Sequence, residues 1–344
     1  MRKILSLLLV AALLCLLSGC EEEETPTEAT VRPAATTAVT EEATEAATEE
    51  TETATEPPET LAEEMEESPL RTGVIRSGDE QLQAEYILLA LNSEGPFLSE
   101  DITFNEKGAE YLIHWLLGDG PREKLGNFGV DTYGEAVFSL PEQPAPHPVW
   151  IPDATEETKT IRLVVSDTLE KSGILEELLT EFEETYGYQV NVQSTTDSGA
   201  IIMAKLGIFD VVLAETSSAT DSFVAEGYAR LLKNFETEAI PFCGMEYLLC
   251  GPKEDPAGAG GAEDLTQAMA AIAESRTRFL SCGDDSTVHK LEQSLWPEGQ
   301  TFGDWYLSVG TQTGPLLVMN EFEGGYVLTD KLTWLQFYQA NGII

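Results

Sequence analysis

Two hydroxyl-rich segments of this chain have the make-up of small-ligand loops. Ser166-Asp167-Thr168 precedes a helix expected near Ser172. Ser281 to Thr287, through Gly283-Asp284-Asp285-Ser286, precedes another around His289. Each places hydroxyls and free backbone N–H groups between a strand end and a helix N-terminus, the usual position for a small polar ligand in an α/β sheet. Helix N-termini favour anions in particular. In one loop taken alone, Ser, Thr and Asp read more readily as N-caps. Two such loops in successive α/β units point to a cleft.

Catalytic patterns are weak by comparison. His114, His147 and His289 lie far apart and in different kinds of element. No His-x3-His or Cys-x2-Cys spacing occurs, nor any Gly-x-Ser-x-Gly nucleophile elbow. His114 sits beside Trp115 on an apolar helix and reads as a packed or surface histidine. Asp284-Asp285 in a Gly-rich turn reads as solvated or capping. The expectation is a non-enzyme with no metal and no cofactor. Cys243 and Cys250 lie seven apart in a strand-like run, on opposite faces; with Cys282 they read as buried, unpaired thiols.

The elements that must hold these loops follow from hydrophobic periodicity. Ile161–Val165 reads as a strand, and Ser172 to Tyr186 as a helix with Ile174, Leu175, Leu178, Leu179 and Phe182 on one face. Gly187 ends that helix. Gln189–Val192 and Asp210–Ala214 read as further strands, with helices at 200–206 and from Ser222 to Tyr228. A second series runs through a strand at Glu246–Cys250, a helix at Leu265–Ser275, a strand at Phe279–Ser281 and a helix at Val288–Trp296. Trp305–Val309, Gly324-Gly325-Tyr326 and a last helix at Asp330–Tyr338 complete it. This alternation implies a parallel α/β sheet covered on both faces. Upstream, Tyr86–Leu91 reads as a strand, 106–117 as a helix and Leu125–Phe128 as a short one. The proline-rich 141–152 stretch reads as a surface connector.

The chain has 344 residues, with 61 acids against 19 bases and a formal charge of −42. That excess disfavours nucleic acid and anionic membrane surfaces as partners. Residues 21–70 alone hold 17 acids and one base, Arg32. Residues 21–68, nearly all Glu, Thr, Ala and Pro, read as a disordered acidic tether. Residues 1–20 pair a basic start, Arg2 and Lys3, with an apolar run too short to span a bilayer comfortably. Leu17-Ser18-Gly19-Cys20 resembles the lipobox of a bacterial lipoprotein, which implies lipidation of Cys20; a plain secretory signal is the alternative.

Several motifs, in order, carry a more specific resemblance. Ser172-Gly173-Ile174-Leu175, the 223–228 stretch Phe-Val-Ala-Glu-Gly-Tyr and the Cys250-Gly251-Pro252-Lys253 region come first. Gly283-Asp284-Asp285-Ser286 with His289-Lys290, Trp305-Tyr306-Leu307 and Tyr326-Val327-Leu328-Thr329-Asp330 follow. Together they resemble bacterial tungstate-binding proteins, the extracytoplasmic solute-binding components of ABC importers. The resemblance implies a two-lobed, hinged periplasmic-binding-protein-like α/β fold of type II that closes on an oxyanion. Pieces expected after the last helix are instead found at the front: Gly73-Val74-Ile75 with Gly78-Asp79, then Tyr86 to Asn92, Ala109 to Leu116, and Phe128-Gly129-Val130 through Phe138. This order implies a circular permutant, with 141–159 joining the old ends; a truncated gene with an unrelated front domain is the alternative. The expected organisation is a binding domain over 69–344, with lobe I at about 93–240 and lobe II at about 244–344 plus 70–85. Hinge strands are expected at 86–91 and 246–250.

The expected ligand residues are Ser166, Thr168, Ser172, Ser198, Ser281, Ser286 and Thr287. The resemblance breaks at charged positions. Asp167 and Asp197 place carboxylates near the expected anion, and Cys282 stands where the family carries an Arg. Lys171 or Lys205 could restore some positive charge. The ligand therefore differs from the family's, or is lost, or Asp167 points away. The expected partners are a small-molecule or oxyanion solute, the membrane permease of an ABC importer, and the membrane itself through the lipid anchor, with a monomeric, extracytoplasmic protein. The competing expectation is a non-transporting sensor or adaptor lipoprotein that keeps the fold.

Overall fold

The computed structural model describes residues 70–97, 102–142 and 150–341. The leader with Cys20, the 21–68 tether, residues 143–149 of the connector with His147, and the end of the chain past 341 lie outside the described residues. Strand β1 (Thr72–Arg76) leads through a short turn at Glu80–Leu82 into β2 (Gln83–Ala90). From Tyr86 to Ala90, β2 is buried at every position. A strand apolar on both sides needs cover on both faces. Helix α1 (Glu106–Leu116) buries Ala109, Leu112, Ile113 and Leu116. Asn105 caps α1 by accepting from the Gly108 amide at 2.9 Å. Helices α2 (Asp119–Asn127) and α3 (Val130–Tyr133) precede the two-residue strand β3 (Phe138–Ser139). The short helix expected at Leu125–Phe128 is thus the end of a longer one.

The body begins with β4 (Thr160–Ser166). The helix expected from Ser172 to Tyr186 is two helices, α4 (Asp167–Ser172) and α5 (Ile174–Tyr186). Gly173 breaks them at φ 83°, a left-handed conformation that glycine adopts without a Cβ clash. Next come β5 (Gln189–Thr195), α6 (Asp197–Ala204), β6 (Val211–Glu215) and α7 (Ser218–Ala225). The strand expected at Glu246–Cys250 is the end of the 13-residue β7 (Ile240–Pro252). Then α8 (Leu265–Ser275), β8 (Phe279–Ser281), α9 (Thr287–Leu295), β9 (Tyr306–Ser308), α10 (Thr313–Glu323), β10 (Tyr326–Asp330) and α11 (Lys331–Ala340) complete the described chain. Among the described residues no helix is long and apolar enough to cross a membrane.

The strands run in the order β5-β4-β6-β2-β7-β10-β8-β9, with β1 and β3 also paired to β7. β5, β4 and β6 are parallel. β2 lies antiparallel between β6 and β7. The first half of β7 pairs with Gln83–Leu88, and its second half, Tyr247–Cys250, pairs with Val327–Asp330 of β10. β7 is therefore common to two sheet halves. The first lobe is built on β5-β4-β6-β2, and the second on β10-β8-β9 with β1. Chain crosses between them at the middle of β7 and at the β1–β2 connection.

Alternation along β4 shows why the first lobe is a three-layer stack. Ile161, Leu163 and Val165 join the cluster of Leu112, Leu178 and Phe182 on one face, while Val164 joins Ile87, Leu89, Val212 and Phe223 on the other. Side chains of a strand alternate faces, so both helix layers can use the same strand. The front segment is woven into this packing. Trp115 of α1 lies 5.3 Å from Phe182 of α5, ring to ring. Asp210, 1% exposed, accepts from the Asn105 amide at 2.8 Å and takes Arg162 through Nε at 2.9 Å and Nη2 at 2.5 Å. Cys243, Cys250 and Cys282 are buried, free thiols, as their spacing predicts.

Candidate functional site

The C-terminal ends of β4, β5, β8 and β10 face a cavity of about 240 Å³ whose walls come from both lobes. Asp167, Thr168 and Lys171 of α4 and Thr196-Asp197 at the start of α6 form the first-lobe side. Asp284, Ser286 and Thr287 before and in α9, Gln312 to Pro315 at the start of α10, and Asp330 with Leu332, Thr333 and Gln336 of α11 form the other. Tyr247, where β7 passes from its pairing with β2 to its pairing with β10, also lines it. An open α/β sheet places its ligands outside the carboxyl ends of its strands, and this cavity is in that position.

Three of the seven expected ligand residues line the cavity: Thr168, Ser286 and Thr287. The other four lie off its lining. Ser166 is fully buried at the end of β4, where its hydroxyl lies beside Asp197 and favours the ionised form of that carboxyl. The Ser172 hydroxyl is spent locally, donating to the Leu169 carbonyl at 2.6 Å and accepting from the Ile174 amide at 3.2 Å. Ser198 accepts from Lys290 Nζ at 2.7 Å. Ser281 is buried at the end of β8, with its hydroxyl beside the Tyr306 phenol. Hydroxyl content alone could not separate these two groups. What separates them is strand phase and local capping.

The lobes touch across the cleft through their own side chains. Thr287 Oγ1 donates to Asp197 Oδ2 at 3.2 Å, and Lys171 Nζ to Gln312 Oε1 at 3.3 Å. The Lys290–Ser198 bond joins α9 to α6.

Helix starts that could hold an anion are largely occupied. Thr196 accepts from the Gly199 amide, Ser286 from His289 and Asp330 from Thr333. Each such cap satisfies one of the free amides at a helix start. Only α10, with Gln312 at its N-cap, carries no side-chain cap among the helices lining the second lobe. In the two hydroxyl-rich loops, the capping reading accounts for Ser286, whereas Ser166 at the start of α4 makes no side-chain cap and Thr287 bonds Asp197.

The charge of the cavity is set by carboxylates. Asp167 is paired with Lys171 at 2.5 Å, so it turns toward the cleft with its own counter-ion. Asp197 accepts the Glu215 amide at 2.9 Å and the Thr287 hydroxyl. Burial pushes its carboxyl above the usual range; the Glu215 amide and the Ser166 and Thr287 hydroxyls oppose this, and the charge of Asp167 adds to it. Asp330 is held by the Thr333 amide and hydroxyl and by the Thr313 hydroxyl. Behind Tyr247 lies Glu215, 5% exposed, which accepts the Tyr247 hydroxyl at 2.6 Å. Burial pushes Glu215 up to about 8, and the charge of Asp197 raises it further against the pull of the Tyr247 hydrogen bond. Cys282 is buried off the lining, and desolvation lifts its thiol to about 12, so it supplies neither charge nor a nucleophile. Lys205, the other cation considered from the sequence, is paired with Glu226 and lies off the lining.

Comparison with known proteins places this geometry among relatives. The PBP superfamily domain model matches residues 153–341. A tungstate-binding protein of Peptoclostridium acidaminophilum is 32% identical over 195 residues, 56% of this chain and 66% of its own length. A Haloferax volcanii protein named as an ABC transporter anion-binding protein is 31% identical over 180 residues, 52% of this chain and 51% of its own length. The chain thus spans about half to two thirds of the curated relatives it matches. The solved tungstate ABC transporter structure from Geobacter sulfurreducens is 29% identical, covering 53% of this chain and 77% of that one with a TM-score of 0.44.

Proposed function

This chain belongs to the PBP superfamily, and from that premise we propose that it is the extracytoplasmic solute-binding component of an ABC importer, of the tungstate- and anion-binding kind but with a changed ligand site. The observation that carries the reading is the cavity itself. Its walls come from two lobes that share β7, and Thr287 of one lobe already reaches Asp197 of the other. A solute bound there touches both lobes and stabilises their closure, and the closed form is what a permease then meets. The identity of the curated relatives supports the importer assignment.

Two further parts of the reading concern the chain's organisation. The Leu17-Ser18-Gly19-Cys20 pattern supports lipid anchoring through Cys20, with residues 21–68 as the tether. Two acyl chains on one cysteine suffice for stable anchoring. The front segment supports a circular permutation. β2 fills the place between β6 and β7, β1 and β3 pair with β7, and all described residues fall in one compact unit. The superfamily match begins at residue 153, beside the proline-rich connector. Gln339 of α11 also donates to the Thr132 carbonyl at 3.2 Å, tying the last helix to the front segment.

A thermal-melt panel on the full chain carrying Cys20→Ser tests the reading. The panel holds tungstate, molybdate, sulfate, amino acids and organic cations. A solute at one hundred times its Kd stabilises by about 2.7 kcal/mol, a melting shift of roughly 5–10 °C at this size. One such hit supports solute binding. A flat response across the panel overturns it in favour of a non-transporting sensor or adaptor. Membrane retention of the wild-type chain and release of the Cys20→Ser chain check the anchor.

A further inference from the structure

The charge of the cleft has the same sign as that of the ligands named for the relatives. Of the four aspartates lining it, only Asp167 has a cationic partner, Lys171. Asp197, Asp284 and Asp330 are met by amides and hydroxyls alone, and among the described residues none of the three is in an ion pair. The lining contains no arginine and no lysine besides Lys171. An oxyanion would have to enter beside three carboxylates that no cation neutralises. Part of its usual donor set is also taken, because the starts of α6, α9 and α11 are capped by Thr196, Ser286 and Asp330, which leaves the uncapped starts of α4 and α10.

We propose that this cleft takes a small organic cation bearing N–H groups, a primary ammonium or guanidinium compound, in place of an oxyanion. The inference rests on the solute-binding reading above. Carboxylates and threonine hydroxyls are acceptors, and a guanidinium or ammonium group is a pure donor that satisfies several at once. A quaternary ammonium fits poorly. Such ions are held by aromatic faces, and the only lining aromatic is Tyr247, whose hydroxyl is committed to Glu215. A bare metal ion fits poorly too, since among the described residues no three His, Cys, Asp or Glu side chains are grouped to hold one. The cavity of about 240 Å³ sets the size at a small solute. Asp197, met by the Glu215 amide and the Thr287 hydroxyl with no cation beside it, is the group a bound cation would pair with.

Isothermal titration of the full chain carrying Cys20→Ser, with agmatine, putrescine, arginine, choline, tungstate and molybdate as probes, tests this. The expected result is micromolar binding of at least one N–H cation, weakened more than tenfold from 50 to 300 mM salt, with choline and both oxyanions at least a hundredfold weaker. Asp284→Asn and Asp330→Asn should each weaken that cation at least tenfold. Asparagine still caps a helix, so Asp330→Asn keeps the start of α11. Asp285→Asn changes the same charge at a side chain 96% exposed and off the lining, and should leave binding unchanged. Tight tungstate or molybdate binding with no cation binding overturns the cation assignment and leaves the solute-binding reading standing. Choline binding as tight as agmatine overturns the requirement for N–H donors. No binding by any probe overturns both readings.

Discussion

Replacing Glu215 by Gln gives the sharpest expectation for stability. The side chain is buried, accepts the Tyr247 hydroxyl, and is pushed from its ordinary 4.5 to about 8, first by burial and then by the charge of Asp197. A carboxyl that holds its proton more tightly when folded adds stability while it stays protonated in the native state. That contribution is present below about pH 4.5 and is lost as the pH rises to about 8. One pKa unit corresponds to about 1.4 kcal/mol, so the 3.5-unit interval is worth at most on the order of 5 kcal/mol. Gln keeps an acceptor for Tyr247 and cannot ionise. Denaturant unfolding of wild type and E215Q at pH 5, 7 and 9 should therefore show the two within about 1 kcal/mol at pH 5. At pH 9 the variant should be ahead by several kcal/mol. Differences that stay constant within 1 kcal/mol across the range would refute the claim that this carboxyl is buried and uncompensated.

Two other expectations follow from the same geometry. Asp210→Ala removes a buried carboxylate that holds the partly exposed Arg162 guanidinium and the Asn105 and Arg162 amides, which should destabilise by about 2–4 kcal/mol. It should also lower a single unfolding transition seen alike by probes in α1 and α9; separate transitions would sink the view that residues 70–139 belong to the common sheet. Binding of an organic cation should release protons from Glu215 near pH 7.5, because a nearby positive charge favours the ionised form. Titrations in two buffers of different ionisation enthalpy measure that release, and proton uptake would contradict it.

Local pattern carried much of the scaffold. The β4 and β6 runs and the five apolar positions of α5 state their partners through simple periodicity, and the buried faces agree with it. α10 was invisible for a physical reason. Val318, Met319 and Phe322 are exposed, and Gly314-Pro315 near its start looks like a loop, so no apolar stripe marks it. β7 was read short because Pro241 and Gly244 interrupt its first half, where two sheet halves supply the pairing that propensity lacks. At the site, Asp167 could be flagged because it breaks a family pattern. Asp330 and Glu215 could not, since they end strands whose adjacency depends on the tertiary crossing at Tyr247. Ser172 and Ser281 have the right chemistry in the wrong phase: one is turned into its own helix end, the other beneath the strand.

The hinged clamp is tested most directly by one distance. In a chain carrying Cys15→Ser and Cys20→Ser, cysteines placed at exposed Glu170 of the first lobe and Glu298 of the second can carry spin labels, because the three described native thiols are buried. Pulsed dipolar measurement on the labelled chain should give a broad or two-component distribution without solute. With a bound solute it should narrow to one shorter distance. A single distance unchanged by every solute that binds would contradict the clamp.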